Sequence, residues 1–168
     1  LNSSGYEYGR FDKILGFSHT HMSGGGCNDY MDIMFFPLNR DYVFDSSEYP
    51  ENVHETFSHD QEEAEPGYYS VKLLDSDIDV KLTATERCGM HQYTYPEGAN
   101  QQLVIDLKHG KNDGCTVCPG YNFDTVRFSS IEMVDEYTIK GSRVSDGWLH
   151  GVNAHFYAEF SKPIKEYK

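Results

Sequence analysis

The chain has 168 residues, enough for one domain with a real core, and two domains of this total size would each be marginal. Its 27 acidic and 14 basic side chains leave a formal charge of −13, which repels polyanions and argues against nucleic acid and anionic membrane surfaces as partners. A neutral ligand is compatible with that charge, and a cation such as calcium is attracted to it. No apolar run approaches the ~20 residues of a membrane helix. The longest, 33–38, is interrupted by Pro37. The chain opens at Leu1 with no signal peptide, consistent with a mature chain or a piece of something longer.

Alternation with period two dominates. In chain order, strand-like runs fall at 31–36, 53–58, 69–74, 78–84, 90–95, 102–108, 125–133, 137–143 and 153–160. Tyr69, Val71 and Leu73 share one face, as do Ile78, Val80 and Leu82. In the last run Ala154, Phe156, Ala158 and Phe160 oppose His155, Tyr157 and Glu159. Residues 60–65 ("DQEEAE") are short, acidic and closed by Pro66, and read as a solvated connection. Turn signals separate the runs: Pro66-Gly67, 75–77, 96–100, Pro119-Gly120 and 145–148. The segment 78–98 reads as two successive strands around a bend near Cys88-Gly89. About nine to ten short strands at close spacing imply an all-β fold, an antiparallel sandwich or barrel. Without an internal repeat or a linker-like stretch, 1–168 reads as a single domain.

The stretch "GFSHTHMSGGGCNDYMD" at 16–32 is too polar and too small to build a core. In extended backbone His19 and His21 lie on one face. Such a pair can chelate a transition metal or aim two imidazoles at sugar hydroxyls, or be one buried and one exposed histidine. The small residues at 23–26 let a ligand approach the backbone. They lack the lysine and following helix of a phosphate loop. A plain hairpin tip is the alternative. Asn28, Asp29 and Asp32 could offer oxygen to a hard cation, but not at EF-hand spacing. Asp29 also suits a turn.

Four cysteines occur, at 27, 88, 115 and 118. Cys115 and Cys118 give half of a zinc site, a local disulfide or loop thiols. No nucleophile elbow is present, and no pair of carboxylates stands out. Glu86 and Arg87 could form an acid–base dyad or a cross-strand ion pair. Trp148 could stack on a pyranose or anchor its loop.

The segments "GFSHTHMSGGGCNDYMDI", "FSHDQEEAEPGYYSVKL", "IDVKLTATERCGMHQYTYP", "IKGSRVSDGW" and "FYAEFSKP" occur in this order. Together they resemble the N-terminal domain of glycoside hydrolase family 92, the calcium-dependent exo-acting α-mannosidases. The resemblance covers nearly the whole chain. It implies an antiparallel β-sandwich packed on a larger (α/α)6 barrel, with the active site at their interface. The general acid, the general base and most of the calcium shell would belong to the barrel. The reaction would be hydrolysis of α-linked mannose from glycans with inversion.

Carried onto this sequence, the pocket candidates are His19, Thr20, His21, Gly24, Gly25, Cys27 and Asp29, with Arg143 and Trp148 as further candidates. Gly24-Gly25-Gly26 stands where the family commonly has Gly-Thr-Gly, and Met31 where it has Gly. The resemblance further implies a secreted, periplasmic or cell-surface setting and a mannose-containing glycan as substrate. On this reading the 168 residues lack the catalytic carboxylates and are inactive alone, with an apolar patch exposed near the 16–32 loop. A free-standing carbohydrate-binding or protein-interaction sandwich is the alternative.

Overall fold

The computed structural model describes residues 13–19, 33–40, 54–108, 125–146 and 150–168. Eleven strands and one short 3-10 turn occur among them. All the strand pairings are antiparallel. The chain divides into two compact units, which are taken separately.

The first unit holds the described residues up to Asp106. Its largest sheet is a four-stranded meander: β4 (Glu62–Glu65), β5 (Tyr68–Leu73), β6 (Ile78–Ala84) and β7 (Gly89–Thr94). Alternation decides which face is apolar. Register places Val71 beside Val80 and Val80 beside Tyr93, and Leu73 beside Ile78. These side chains therefore form rows on one face. Phe17, Val71, Leu73, Ile78 and Val80 are buried together, with Ile14, Phe57, Tyr69, Leu82, Tyr93 and Tyr95 packed around them.

The meander's turns follow the signals read from sequence. Pro66-Gly67 closes β4 to β5, with Gly67 at φ +83, a conformation that costs glycine little. Asp77 adopts φ +57 in the turn before β6, which a short polar side chain tolerates. Asp75 in the same turn accepts the Thr56 N–H at 2.7 Å.

Two smaller sheets complete this unit. β1 (Lys13–Ile14) pairs with β3 (Glu55–Thr56), and β2 (Met34–Leu38) pairs with β8 (Gln102–Asp106). Phe17 and Phe35 exchange two backbone hydrogen bonds, 2.9 and 2.8 Å, on the other side of β2. Phe36 and Leu38 are buried with Val104 against them.

Pro37 lies inside β2 rather than ending it. Backbone groups alternate sides along a strand, so Pro37 shares Phe35's side, away from β8. Its missing N–H removes nothing from the β2–β8 ladder.

The acidic stretch at 60–65 also differs from expectation. Residues His59–Gln61 form the 3-10 turn and Glu62–Glu65 form β4, paired to β5. Ser58 caps the turn by accepting the Asp60 N–H. Glu62 accepts the Tyr69 hydroxyl at 2.7 Å through one oxygen and bonds His59 through the other. An edge strand can be acidic because its outer face stays in water.

The second unit contains a three-stranded meander: β9 (Thr125–Asp135), β10 (Thr138–Asp146) and β11 (Val152–Glu159). Along β11, Ala154, Phe156 and Ala158 are half-buried while Asn153, His155, Tyr157 and Glu159 are exposed, as the alternation requires. β10 continues through Ser145 and Asp146, so these two residues extend a strand instead of opening the turn read there. Asp146 takes the Gly151 N–H at 2.7 Å and pairs with Arg127. Among the described residues no helix is long and apolar enough to cross a membrane.

Candidate functional site

A polar cluster on the apolar face of the first unit is built on β7. Successive odd positions of that strand carry His91 and Tyr93, with Tyr95 just beyond its end. Register puts Tyr93 beside Val80 and His91 beside Leu82, within the apolar rows of the meander. The sequence thus places an imidazole where alternation calls for a hydrophobe.

His91 is satisfied there at both nitrogens. Its Nδ1 lies 2.5 Å from the Tyr93 hydroxyl and its Nε2 lies 2.6 Å from Nε2 of His19. The His19 and His91 rings meet edge to face, with centroids 4.6 Å apart, and Phe35 packs edge-on against His91 at 5.1 Å. Phe17 lies 6.5 Å from Tyr93. Gly89 leaves space for the His19 ring: a Cβ at that position would collide with the imidazole. Tyr95 donates to the Gln102 carbonyl at 2.7 Å, tying β7 to β8.

Burial governs the protonation of this group. His91 is pulled down to about 4, first by burial and then by the charge of neighbouring His19. It is a neutral ring at physiological pH. Tyr93 is pushed up by burial and by Tyr95, and Tyr95 is pushed up to about 12 by burial, so both remain phenols. The trio can pass hydrogen-bond polarity along a fixed line, from a half-buried phenol through a neutral imidazole to a second imidazole. It contains no carboxylate to act as an acid–base pair.

A 2.6 Å separation between the two ring nitrogens is a hydrogen bond. A zinc ion held tetrahedrally by both would keep them roughly 3.3 Å apart. Among the described residues no three His, Cys, Asp or Glu side chains converge on a point.

Of the residues singled out from sequence, His19 enters this cluster. Arg143 is buried on β10 in the second unit, with Ser129 and Ala154 as its cross-strand neighbours. Thr20, His21, Gly24, Gly25, Cys27, Asp29 and Trp148 lie outside the described residues, as does the loop whose surroundings were expected to be apolar. So do three of the four cysteines, while Cys88 is a free, exposed thiol. Glu86 and Arg87 sit in the turn closed by the Thr85–Cys88 backbone bond, so they do not face each other across strands. His91 and Tyr93 were missed as site residues. The signal available was a histidine in register with two tyrosines on the inward side of a strand.

Antiparallel meanders and a strand-borne core define an all-β domain. The chain belongs to the glycosyl hydrolase family 92 N-terminal domain, whose family model it matches over residues 1–168. Among solved structures it is similar to the family GH92 α-mannosidase BT3965 from Bacteroides thetaiotaomicron in complex with mannoimidazole. The identity is 31% and the TM-score 0.80, covering 97% of this chain and 20% of that one. The same enzyme without that ligand matches equally, at 31% identity and TM-score 0.80, over 97% of this chain and 21% of that one. The family GH92 inverting mannosidase BT2199 from Bacteroides thetaiotaomicron VPI-5482 shares the fold at 22% identity and TM-score 0.65, over 98% of this chain and 20% of that one. Comparison with curated proteins gives no match. The all-β, antiparallel class read from the strand spacing, and the β-sandwich implied by the family resemblance, are borne out by this likeness, and the chain spans about a fifth of the length of the structures it matches.

Proposed function

We propose that this chain is the N-terminal sandwich of an exo-acting α-mannosidase that removes α-linked mannose from glycans with inversion. In this reading it lines one side of a sugar pocket with the loop after His19, and an (α/α)6 barrel supplies the acid, the base and the calcium. Inversion requires two carboxylates roughly 6.5–9.5 Å apart with a water between them. The His19–His91–Tyr93 set contains neither. Calcium takes oxygen ligands, and two imidazoles and a phenol do not suit it. When bound, such an ion would polarise sugar oxygens. A secreted or periplasmic setting accords with a glycan substrate.

The observation that carries the reading is His19. Its imidazole is hydrogen-bonded to the half-buried ring of His91, and small residues follow it in the sequence. A fixed donor beside small residues suits a sugar hydroxyl. The test is an assay of the full-length protein on α-linked mannobioses with calcium, comparing wild type with His19→Ala. Release of mannose by the wild type, with kcat/KM lowered roughly 10- to 100-fold in the variant, is expected. Absence of release from every linkage would contradict the reading, and binding of the sugar without hydrolysis would point to a carbohydrate-binding module.

A further inference from the structure

We propose that the outward face of the β9–β10–β11 sheet is a second, non-catalytic glycan-binding surface, a platform for an extended oligosaccharide with Phe128 and Tyr157 at its two ends. Register builds that face. Between the two irregularities in the β9–β10 pairing, and throughout β10–β11, partners run without interruption. Paired residues point to the same side of a sheet, and alternate residues along a strand share it. Phe128, Val144 and Asn153 therefore form one row. Ser130, Ser142 and His155 form the next, and Glu132, Lys140 and Tyr157 the third. Two contacts fix the side: the Ser130 and Ser142 hydroxyls are 3.0 Å apart, and Nζ of Lys140 lies 3.1 Å from a Glu132 oxygen.

The opposite face carries Ile139 and Arg143, both buried, and the half-buried Phe156. This one is open to water. Phe128 is 56% exposed and Tyr157 66%, so both rings leave apolar area uncovered. The polar side chains of the three rows are exposed too, Ser142 partly so.

The pattern selects the class of partner. The core of a protein interface is apolar and poor in Lys and Glu. Here the two rings stand at opposite corners, four residues along and two strands across, about 17 Å apart by ordinary sheet spacings. Hydroxyls and an imidazole fill the row between them, and the Glu132–Lys140 ion pair adjoins Tyr157. A glycan matches this alternation. The C–H groups on one face of a pyranose lie on an aromatic ring, while its hydroxyls meet hydroxyl, amide and charged side chains. The separation exceeds one sugar ring, so the ligand is an oligosaccharide laid diagonally across the strands. A neutral glycan also suits a chain of formal charge −13, which repels polyanions. Among these nine residues Glu132 is the only carboxylate, so the face holds no acid–base pair and binds without cleaving.

The mannosidase reading is needed here only for the choice of probe. Native electrophoresis of the full-length protein in gels containing α-mannan tests the proposal, with dextran gels as control and mannose release from an α-mannobiose measured in parallel. Mannan should retard the wild type. The double variant Phe128→Ala/Tyr157→Ala should bind mannan about tenfold more weakly, with release from the mannobiose unchanged. Tyr157→Phe keeps the ring and should bind as the wild type does. Equal retardation of wild type and double variant overturns the proposal, as does a wild type that mannan does not retard or that dextran retards equally. Loss of mannobiose cleavage in the double variant would assign the two rings to the fold or the catalytic site and overturn it as well. A wild-type dimer that the double variant dissolves, seen by sedimentation, would make the face a protein interface instead. If no form cleaves the mannobiose while retardation differs as expected, the mannosidase reading fails and the glycan-binding face stands.

Discussion

Acid should unfold this protein partly through His91, and the size of the effect follows from its surroundings. In the unfolded chain the imidazole takes a proton below about 6.5, and in the fold below about 4. Between those values the unfolded state holds more protons, so lowering the pH shifts the balance toward unfolding. Folding stability therefore rises with pH across this window and is fully present above 6.5. The whole window is worth about 3 kcal/mol, and at pH 5 about 2 kcal/mol of it is lost. Against a typical total of about 5–15 kcal/mol, that is measurable.

The comparison variant is His91→Gln, which does not titrate and still offers an acceptor toward Tyr93 and a donor toward His19. Urea unfolding followed by tyrosine fluorescence at pH 7.5, 6 and 5 should show wild type losing about 2 kcal/mol more than the variant over that range. Other titrating groups contribute equally to both proteins and cancel. Parallel losses would refute the placement of a neutral imidazole in the apolar rows of the meander.

Two further substitutions test neighbouring features. Glu55 is fully buried, accepts the Ser76 N–H at 2.9 Å through one oxygen and, among the described residues, has no hydrogen-bond partner at the other. Burial raises its pKa above the usual carboxylate value of 4.5. Its folded state thus holds the proton more tightly, and stability falls as pH climbs through the raised value. Glu55→Gln should raise the melting temperature at pH 7 and leave it unchanged below pH 4, as differential scanning calorimetry can show; a lower melting temperature at pH 7 would contradict the burial argument. Gly89→Ala should cost about 1–3 kcal/mol in chemical denaturation, because the added methyl strikes the His19 ring. A neutral outcome would mean that the ring is not seated where its bond to His91 requires.

The meander was legible because β5 and β6 bury, and β7 half-buries, one alternating row, and alternation needs no partner to be seen. β4 was not, since Glu62, Glu63 and Glu65 carry no apolar row. That strand exists through backbone pairing with β5 and through Tyr69 and His59 reaching Glu62, contacts which local composition does not encode. Pro37 misled for a related reason: whether a proline breaks a strand depends on which side its nitrogen faces. His19 was legible as a candidate by its spacing from His21 and by the family resemblance. Its partner His91 was not, because a polar residue in an inward row reads as an exception until the chain folds back to satisfy it. Arg143 was marked by resemblance alone, and its burial in the second unit could not be anticipated from the alternation of β10.

The central claim is that this domain serves an inverting α-mannosidase. Proton NMR of the full-length protein acting on an α-linked mannobiose, recorded in the first minutes before mutarotation, tests it most directly. The account predicts that β-mannose appears first and that His19→Ala slows its appearance at low substrate concentration. Initial release of α-mannose, or no release at all, would contradict it.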